Sequence, residues 1–402
     1  MSIIRGIIGL AFIFGLCYLI SSDKKHIRYK QIIIMICLQV VISFIFLHTS
    51  VGVKVLSSIS DFFNWLMQQA AGGINFVFGG LELQPGGFVV FFNVLMPIVF
   101  VSALVGILNY IKVLPFIIKW LGKGINKITG MGGLESYFSV STAVLGQPEV
   151  FITVKDQIPK LKPQQLYTIC ASAMSAVSAA MLASYITMVP GKFVVVAVFL
   201  NIFSALIISC IVNPYDPEKI STNLADTEKD NSEKDNSEKD PFFQVLGTYI
   251  LDGFILAMTV AAMLIGFIGL VTFLNNSFDY LFHITFTDII GWVFAPIAYL
   301  IGTPVDNVLN VGSIMATKLI TNEFVAMGEL GKIAHSLSPK ANAIISTYLI
   351  SFANLGTLGI VSGSIKAIDG AQGKVVATYS LKLLAGSTLA SLLTATIVGL
   401  FF

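Results

Sequence analysis

Thr321-Asn322-Glu323-Phe324 is the stretch that decides the fold, because it places a carboxylate inside an apolar segment that extends from 303 to 335. Glycine, proline and charged residues interrupt this segment, so it is not one regular span, yet it is too apolar for a loop in water. Irregular backbone at membrane depth must be covered by protein or line a wet cavity. The sequence therefore predicts a re-entrant hairpin, which enters the membrane and returns to the same side.

A second segment, 131–160, has the same character and carries Gly146-Gln147-Pro148-Glu149 at its predicted tip. Two apolar spans follow each hairpin. Matching positions are separated by nearly constant distances: 174 residues between Glu149 and Glu323, 176 between Pro163 and Pro339, and 182 between Gly191 and Gly373. One additional span between the two copies reverses the second copy in the membrane, and inverted repeats with broken helices are the architecture of secondary transporters. We expect two re-entrant hairpins in inverted repeats.

The composition makes the lipid bilayer the main solvent of the chain. Only 11% of the 402 residues are charged and 55% are hydrophobic, whereas a soluble chain carries about a quarter charged residues. This balance excludes a soluble enzyme, a nucleic-acid binder and a secreted disulfide scaffold. A span needs about 20 mainly apolar residues. The sequence predicts an all-α membrane protein with eight transmembrane helices, at 3–21, 31–48, 87–110, 164–189, 193–213, 243–274, 340–365 and 375–402.

Charge distribution predicts the topology and the division of the chain. Most basic residues fall on one side of the eight spans, which places the N-terminus and the C-terminus outside under the positive-inside rule. Segments 51–70 and 114–128 are amphipathic and are predicted to be interfacial helices. Residues 216–240 hold nine of the 22 acidic residues in a polar repeat, which predicts a disordered cytoplasmic linker. The expected parts are N-terminal helices and scaffold at 1–128, a first repeat at 129–213, the linker at 214–241, a scaffold span with an interfacial helix at 242–302, and a second repeat at 303–402, the repeats forming the transport domain.

Glu149 and Glu323 are the acidic residues that have no place at an interface. A carboxylate at the bilayer centre costs about 2.5 kcal/mol or more, so each is a functional candidate. Each stands beside an amide, and a carboxylate with an amide can accept from hydroxyl groups and pair with the edge of a base. This chemistry suits a polyhydroxylated neutral solute. The alternative is that these groups satisfy backbone groups freed at the hairpin tips.

The predicted span 340–365 carries a second polar constellation. Asn354 and Thr357 are three residues apart and therefore lie on one helix face, and Phe352 is placed to stack on a ring. The alternative is packing of small residues between helices, with Asn354 in an interhelical hydrogen bond.

Three other charged residues remain open at this stage. Glu135 and Asp252 either serve a proton pathway or simply pair, and Lys318 pairs with Glu323 or with a neighbour. The four cysteines lie in apolar runs without metal-ligand spacing. No phosphate-binding loop, metal motif or nucleophile triad is present, so we expect no cofactor, no metal site and no enzyme.

At these residues the chain resembles the concentrative nucleoside transporter family, in particular its bacterial branch of NupC type. The similarity covers most of the chain from Phe76 onward. Its motifs are Phe76-Val77-Phe78-Gly79, the Gly-Gln-x-Glu tip at 146–149, Ala316-Thr317-Lys318-Leu319-Ile320-Thr321-Asn322-Glu323-Phe324-Val325-Ala326, and Phe352-Ala353-Asn354-Leu355. The resemblance implies a homotrimer whose protomers move nucleosides uphill together with a cation, by an elevator-like shift of the hairpin domain.

The resemblance also implies a role for individual residues. Gln147 and Glu149 would bind the nucleobase, Glu323, Asn354 and Thr357 would bind the ribose, Phe352 would pack beside the ligand, and Met181 would supply a backbone contact. The positions that hold sodium in sodium-coupled members correspond here to Thr142, Leu145, Ala176 and Val177. The family's asparagine and one hydroxyl are missing there, which weakens a sodium site and favours proton coupling through Glu149 or Glu323. Pro148 replaces a common hydroxyl near the base.

These observations lead to one expected function and its competitors. We expect a proton-coupled importer of nucleosides, mainly pyrimidine nucleosides such as uridine and cytidine, in a bacterial inner membrane. The alternatives are a sodium-coupled symporter of broader base specificity, a passive channel, and an intramembrane enzyme that uses Glu149 and Glu323 as an acid and a base. The expected partners are the nucleoside, the bilayer and two further copies of the chain.

Overall fold

The computed structural model describes residues 2–79, 89–216 and 241–402, and every regular element within these ranges is a helix. The helices are α1 (Ser2–Ile20), α2 (Tyr29–His48), α3 (Ser50–Phe78), α4 (Pro97–Tyr110), α5 (Val113–Thr129), α6 (Gly133–Val144), α7 (Gln147–Thr153), α8 (Pro163–Ser175), α9 (Ala179–Met188), α10 (Gly191–Val212), α11 (Phe242–Phe282), α12 (Phe286–Leu300), α13 (Val308–Ile320), α14 (Glu323–Ile333), α15 (Pro339–Leu349), α16 (Leu355–Ile368), α17 (Gly370–Thr378) and α18 (Ser380–Gly399). The all-α fold class is thereby confirmed.

Six helical stretches of the described residues are long and apolar enough to cross a membrane: 29–48, 91–110, 163–188, 191–212, 242–282 and 380–399. The stretch 4–20 within α1 is also apolar but shorter, and the predicted span 340–365 consists of the two short helices α15 and α16. The expected count of eight transmembrane helices therefore stays a prediction. The predicted linker, 214–241, lies almost wholly outside the described residues.

The two halves of the chain repeat one order of elements. A broken helix pair comes first (α6 and α7, then α13 and α14), and an interrupted helix follows (α8 and α9, then α15 and α16). A long helix closes each half (α10, then α18), with the additional helix α17 before it in the second half. The stretches predicted as continuous spans, 164–189 and 340–365, are thus both interrupted, at 176–178 and at 350–354. In the second half the interruption follows from capping, because the side chain of Asn354 accepts a hydrogen bond from the Thr357 N–H at 2.8 Å and starts a new helix.

Helices α10 and α18 pack together at the centre of the described structure and are buried along most of their length. Buried polar side chains connect them to their neighbours. Gln39 of α2 donates to the Ser204 hydroxyl at 2.7 Å, the Ser204 and Thr394 hydroxyls are 2.7 Å apart, and Thr394 donates to Asn201 at 2.7 Å. Asn201 in turn donates to the carbonyl oxygen of Ile350 at the interruption after α15. Such interhelical hydrogen bonds hold helices together where apolar surface gives no driving force.

Candidate functional site

The first tip lies between α6 and α7. The Glu149 carboxylate accepts a hydrogen bond from the Gly146 N–H at 2.7 Å, and the Gln147 amide donates to the Ala173 carbonyl oxygen at 2.8 Å. A helix start leaves backbone N–H groups without intrahelical partners, and an acidic residue three positions later satisfies one of them. Both hydrogen bonds are of the kind that the alternative interpretation of the tip expects, and the binding roles of Glu149 and Gln147 stay predictions. The second carboxylate oxygen of Glu149 stays available for a ligand.

The second tip lies between α13 and α14 and joins the two halves. Asn322 caps α14 by accepting from the Val325 N–H at 3.0 Å. Glu323 is 4% exposed, and its carboxylate accepts from the Tyr185 hydroxyl at 2.7 Å and from the Asn354 amide at 3.1 Å. Tyr185 belongs to α9 of the first half, whereas Asn354 begins α16 of the second. Glu323 is thus held in one orientation by side chains of two other helices.

A single cavity of about 510 Å³ collects all seven residues that the sequence predicts as a substrate site: Gln147, Glu149, Met181, Glu323, Phe352, Asn354 and Thr357. Five of them are buried, while Glu149 and Phe352 are partly exposed to the cavity. Pockets for small ligands usually have volumes of about 300–1,000 Å³, mostly apolar walls and a few placed polar groups. The structure brings the predicted residues together, and their role in binding stays a prediction.

One face of α11 also lines the cavity. Its lining side chains include Asp252, Leu256, Thr259, Val260 and Met263, which recur at the spacing of one helix face. Asp252 is the residue that sequence reasoning did not place in the site, although a carboxylate inside a predicted span was the available signal. Tyr185 was also missed, because a tyrosine in an apolar helix resembles a core residue until its partner is known.

The four candidate cation-site residues do not line the cavity themselves, but Leu145 and Val177 directly precede lining residues, near the C-terminal ends of α6 and α8. All of them are buried: Thr142, Leu145, Ala176 and Val177. The Thr142 hydroxyl donates to the Ser139 carbonyl oxygen at 2.9 Å, so its oxygen can still face a cation. Helix C-termini carry partial negative charge, which attracts cations. No cluster of three or more His, Cys, Asp or Glu side chains suitable for a metal ion occurs within 2–79, 89–216 and 241–402.

Comparison with known proteins identifies the family. Three family models match: the N-terminal part of Na+ dependent nucleoside transporters at 8–81, a nucleoside recognition gate at 91–192, and the C-terminal part of Na+ dependent nucleoside transporters at 193–399. The purine nucleoside transport protein NupG of Bacillus subtilis is 35% identical, with 100% of both chains covered. The nucleoside permease NupC of Helicobacter pylori is 26% identical, with 98% of this chain and 97% of the relative covered.

Solved structures of one transporter, CNTnw, share the fold over the whole length. Its inward-facing substrate-bound state matches with a TM-score of 0.92 at 27% identity and covers 100% of this chain and 99% of that chain. A variant in an outward-facing state matches with a TM-score of 0.91 and covers 100% and 98%. This chain belongs to the concentrative nucleoside transporter family.

Proposed function

We propose that this nucleoside transporter imports its substrate across a bacterial cytoplasmic membrane and drives uptake with a cation that flows inward. Glu323, Asn354 and Thr357 bind the ribose, while Gln147 and Glu149 read the nucleobase. Phe352 packs beside the ligand, and Met181 supplies a backbone contact. The observation that carries this proposal is the cavity, because residues predicted from three separate motifs line one space of about 510 Å³.

The polar groups of the cavity match the chemistry of a ribose diol. The Glu323 carboxylate accepts hydrogen bonds, the Asn354 amide both donates and accepts, and the Thr357 hydroxyl does either. In the structure the Asn354 amide already points at Glu323, 3.1 Å away. Sites built to hydrogen-bond a hydroxyl discriminate strongly against analogues that lack it, since their own polar groups are then left unpaired.

Purine nucleosides are the substrate class that we assign within this proposal. The sequence predicted pyrimidine nucleosides such as uridine and cytidine, and the structure does not test that preference. The relative that is 35% identical over its full length is named for purine nucleoside transport, which favours purines. A third carboxylate in the cavity, Asp252, offers an acceptor for the amino and imino groups of a purine base.

Proton coupling remains our proposal for the driving ion. Of the positions that correspond to the family's sodium site, only Thr142 carries a side-chain oxygen. Two carboxylates, Glu149 and Asp252, face the same largely apolar cavity, where a proton taken up by either one removes their mutual repulsion. Sodium coupling is the second candidate, favoured by the Na+ dependent description of the matching family models.

The transport movement that we propose is an elevator-like shift of the two tips along α11. Helix α11 packs mainly along α4 and presents a largely apolar face, 255–267, to the tips, which suits sliding. The tips act as re-entrant hairpins of inverted repeats, and the scaffold regions, 1–128 and 242–302, hold a homotrimer together. The charge distribution predicts both termini outside. The alternative of an intramembrane enzyme is wrong, because the family is one of transporters.

Uptake into proteoliposomes tests the proposal directly. Labelled adenosine and uridine are supplied with an inward proton gradient or an inward sodium gradient, each imposed alone. We expect uphill accumulation of adenosine with the proton gradient and weaker accumulation of uridine. Accumulation with sodium alone selects the second candidate, and equilibration without accumulation under both gradients would indicate a passive channel.

A further inference from the structure

Lys318 is a fully buried charged side chain that the proposed function leaves unused. It lies on α13, five residues before Glu323, and is 0% exposed. Its ammonium group donates to the Tyr348 carbonyl oxygen and to the Ser351 hydroxyl, both at 2.6 Å, and lies 4.3 Å from the centroid of the Tyr348 ring. Every direct partner is uncharged. A charge held in this way within a membrane protein marks a functional position by default.

The two hydrogen-bond partners of Lys318 lie at the interruption between α15 and α16. The Tyr348 carbonyl belongs to the last turn of α15, and Ser351 follows the end of that helix. The Ser351 hydroxyl also lies 2.6 Å from the Ser391 hydroxyl of α18. Asn354, which begins α16 and bonds Glu323, comes three residues after Ser351. Lys318 therefore fixes the short segment that sets the direction of Asn354 and Thr357.

The atoms around the ammonium group are of the kind that a small cation takes. They are a carbonyl oxygen at a helix C-terminus and a hydroxyl, and unwound backbone of this type coordinates coupling ions in other transporter folds. The ammonium group also interacts electrostatically with the Glu323 carboxylate, whose charge has the opposite sign. The corresponding interruption of the first half, at 176–178, is reached by the neutral amide of Gln147 instead.

We infer that Lys318 is a positioning residue for ribose recognition. Its ammonium group stabilises the interruption between α15 and α16, so that Asn354 and Thr357 face Glu323. Because the chain itself supplies this cation, the second half needs no ion from solution for that purpose. This inference rests on the proposed function, because it assigns ribose recognition to Glu323, Asn354 and Thr357. It assigns to the second half a cationic group that belongs to the chain itself and is not taken from solution.

The test compares transport of adenosine with that of 3′-deoxyadenosine. The wild-type protein should prefer adenosine by about tenfold or more in kcat/KM, because the missing hydroxyl leaves polar groups of the site unpaired. In Lys318→Met this ratio should fall toward one, mainly because the KM for adenosine rises. Lys318→Arg keeps the charge and should recover part of the preference. Lys332→Met is the matched control, since Lys332 lies exposed on the neighbouring helix and pairs with Glu329 at 2.7 Å.

The ratio separates positioning from a merely structural role. A protein that is only destabilised reaches the membrane in smaller amounts and loses the same fraction of transport for both substrates. An unchanged ratio in Lys318→Met overturns the inference, and if that variant fails to assemble, an unchanged ratio in Lys318→Gln overturns it equally. A wild-type protein that transports neither adenosine nor uridine overturns the proposed function itself, and the inference with it.

Discussion

The interruptions of the two halves differ in how their backbone carbonyl groups are satisfied. At the second interruption, four consecutive carbonyl oxygens each accept a hydrogen bond. Those of Thr347 and Leu349 accept from the N–H groups of Ile350 and Ser351, that of Tyr348 accepts from Lys318, and that of Ile350 accepts from Asn201. At the first, Ser172 and Ala173 are satisfied, but no described residue donates to the carbonyl oxygens of Met174 and Ser175. The Ser175 hydroxyl is also buried without a partner among the described residues.

The two interruptions thus differ in how many of their carbonyl oxygens are paired within the described residues. Buried carbonyl groups are nearly always paired, and an unpaired one costs about 1–3 kcal/mol. The second half supplies its own donors, including the ammonium group of Lys318. The first half leaves oxygen atoms open next to the predicted cation positions at Ala176 and Val177. Within the proposed function, the first half responds to the coupling ion, and the second half holds the ribose in either condition.

Glu323→Gln should have the largest effect on uptake, because the Glu323 carboxylate accepts hydrogen bonds from side chains of both halves. The amide keeps the shape of the carboxylate but cannot accept from Tyr185, Asn354 and a ribose hydroxyl on two equivalent oxygens. Hydrogen bonds to charged groups contribute about 1.5–3 kcal/mol each, so we expect adenosine uptake to fall roughly a hundredfold. Proteoliposome uptake measures the loss, and size-exclusion chromatography shows whether the oligomer persists.

Glu329→Gln is the matched control for that variant. Glu329 lies on the same helix, is exposed, and pairs with Lys332 at 2.7 Å. Exposed ion pairs contribute about 0–1 kcal/mol, so uptake should stay near the wild-type rate. Wild-type uptake by Glu323→Gln would remove Glu323 from the site.

The tips were predictable from sequence, whereas the interruptions were not. Glu149 and Glu323 stand out in the sequence because burying a carboxylate in an apolar segment costs free energy in any fold. The interruptions at 176–178 and 350–354 depend on donors that are remote in sequence: Asn201 reaches Ile350 across 149 residues, and Lys318 reaches Tyr348 across 30. Sequence periodicity carries no signal for such partners, and small apolar residues on both sides of each interruption resemble a continuous span.

Matched substitutions at the two interruptions test whether the first half and the second half have different roles. Asn201→Leu and Gln147→Leu each remove a side-chain amide that donates to a carbonyl of an interrupted helix. Asn201→Leu should lower the free energy of unfolding by about 2 kcal/mol, because it leaves buried polar groups unpaired, and should leave the ion dependence of uptake unchanged. Gln147→Leu also loses the proposed nucleobase contact, so it is measured at saturating nucleoside, where it should instead raise the ion concentration needed for half-maximal uptake. Thermal unfolding and ion titration of uptake measure the two effects, and equal ion shifts in both variants would contradict the division of roles.

Glu149→Gln should remove the response to pH while keeping much of the binding. In the proposed proton-coupled cycle, uptake by the wild-type protein rises as the external pH falls, because Glu149 must gain a proton to carry it inward. The glutamine variant is permanently uncharged, so its uptake should show no pH dependence and its accumulation should drop about tenfold, equivalent to about 1.4 kcal/mol. Uptake measured between acidic and neutral external pH is the readout. A wild-type pH profile in this variant would move the proton to Glu323 or Asp252.

Asp252→Asn should have the smallest effect, because Asp252 stands on α11, outside both halves, and faces the cavity with only part of its side chain covered. Replacing an acceptor pair by an amide changes which base edges it can meet but leaves the ribose contacts intact. We expect the KM for guanosine to rise about threefold and the KM for adenosine to change less, since a difference of one hydrogen bond to a partly solvated group amounts to about 0.5–1.5 kcal/mol. Competition of guanosine and adenosine in the same vesicles measures the ratio of their KM values.

The same variant tests the proposed elevator movement. If α11 does not move with the tips, the change in selectivity should appear for uptake from one side of the membrane only, because the tips contact Asp252 in one state and not in the other. Equal changes for both directions of transport would place Asp252 in the moving part.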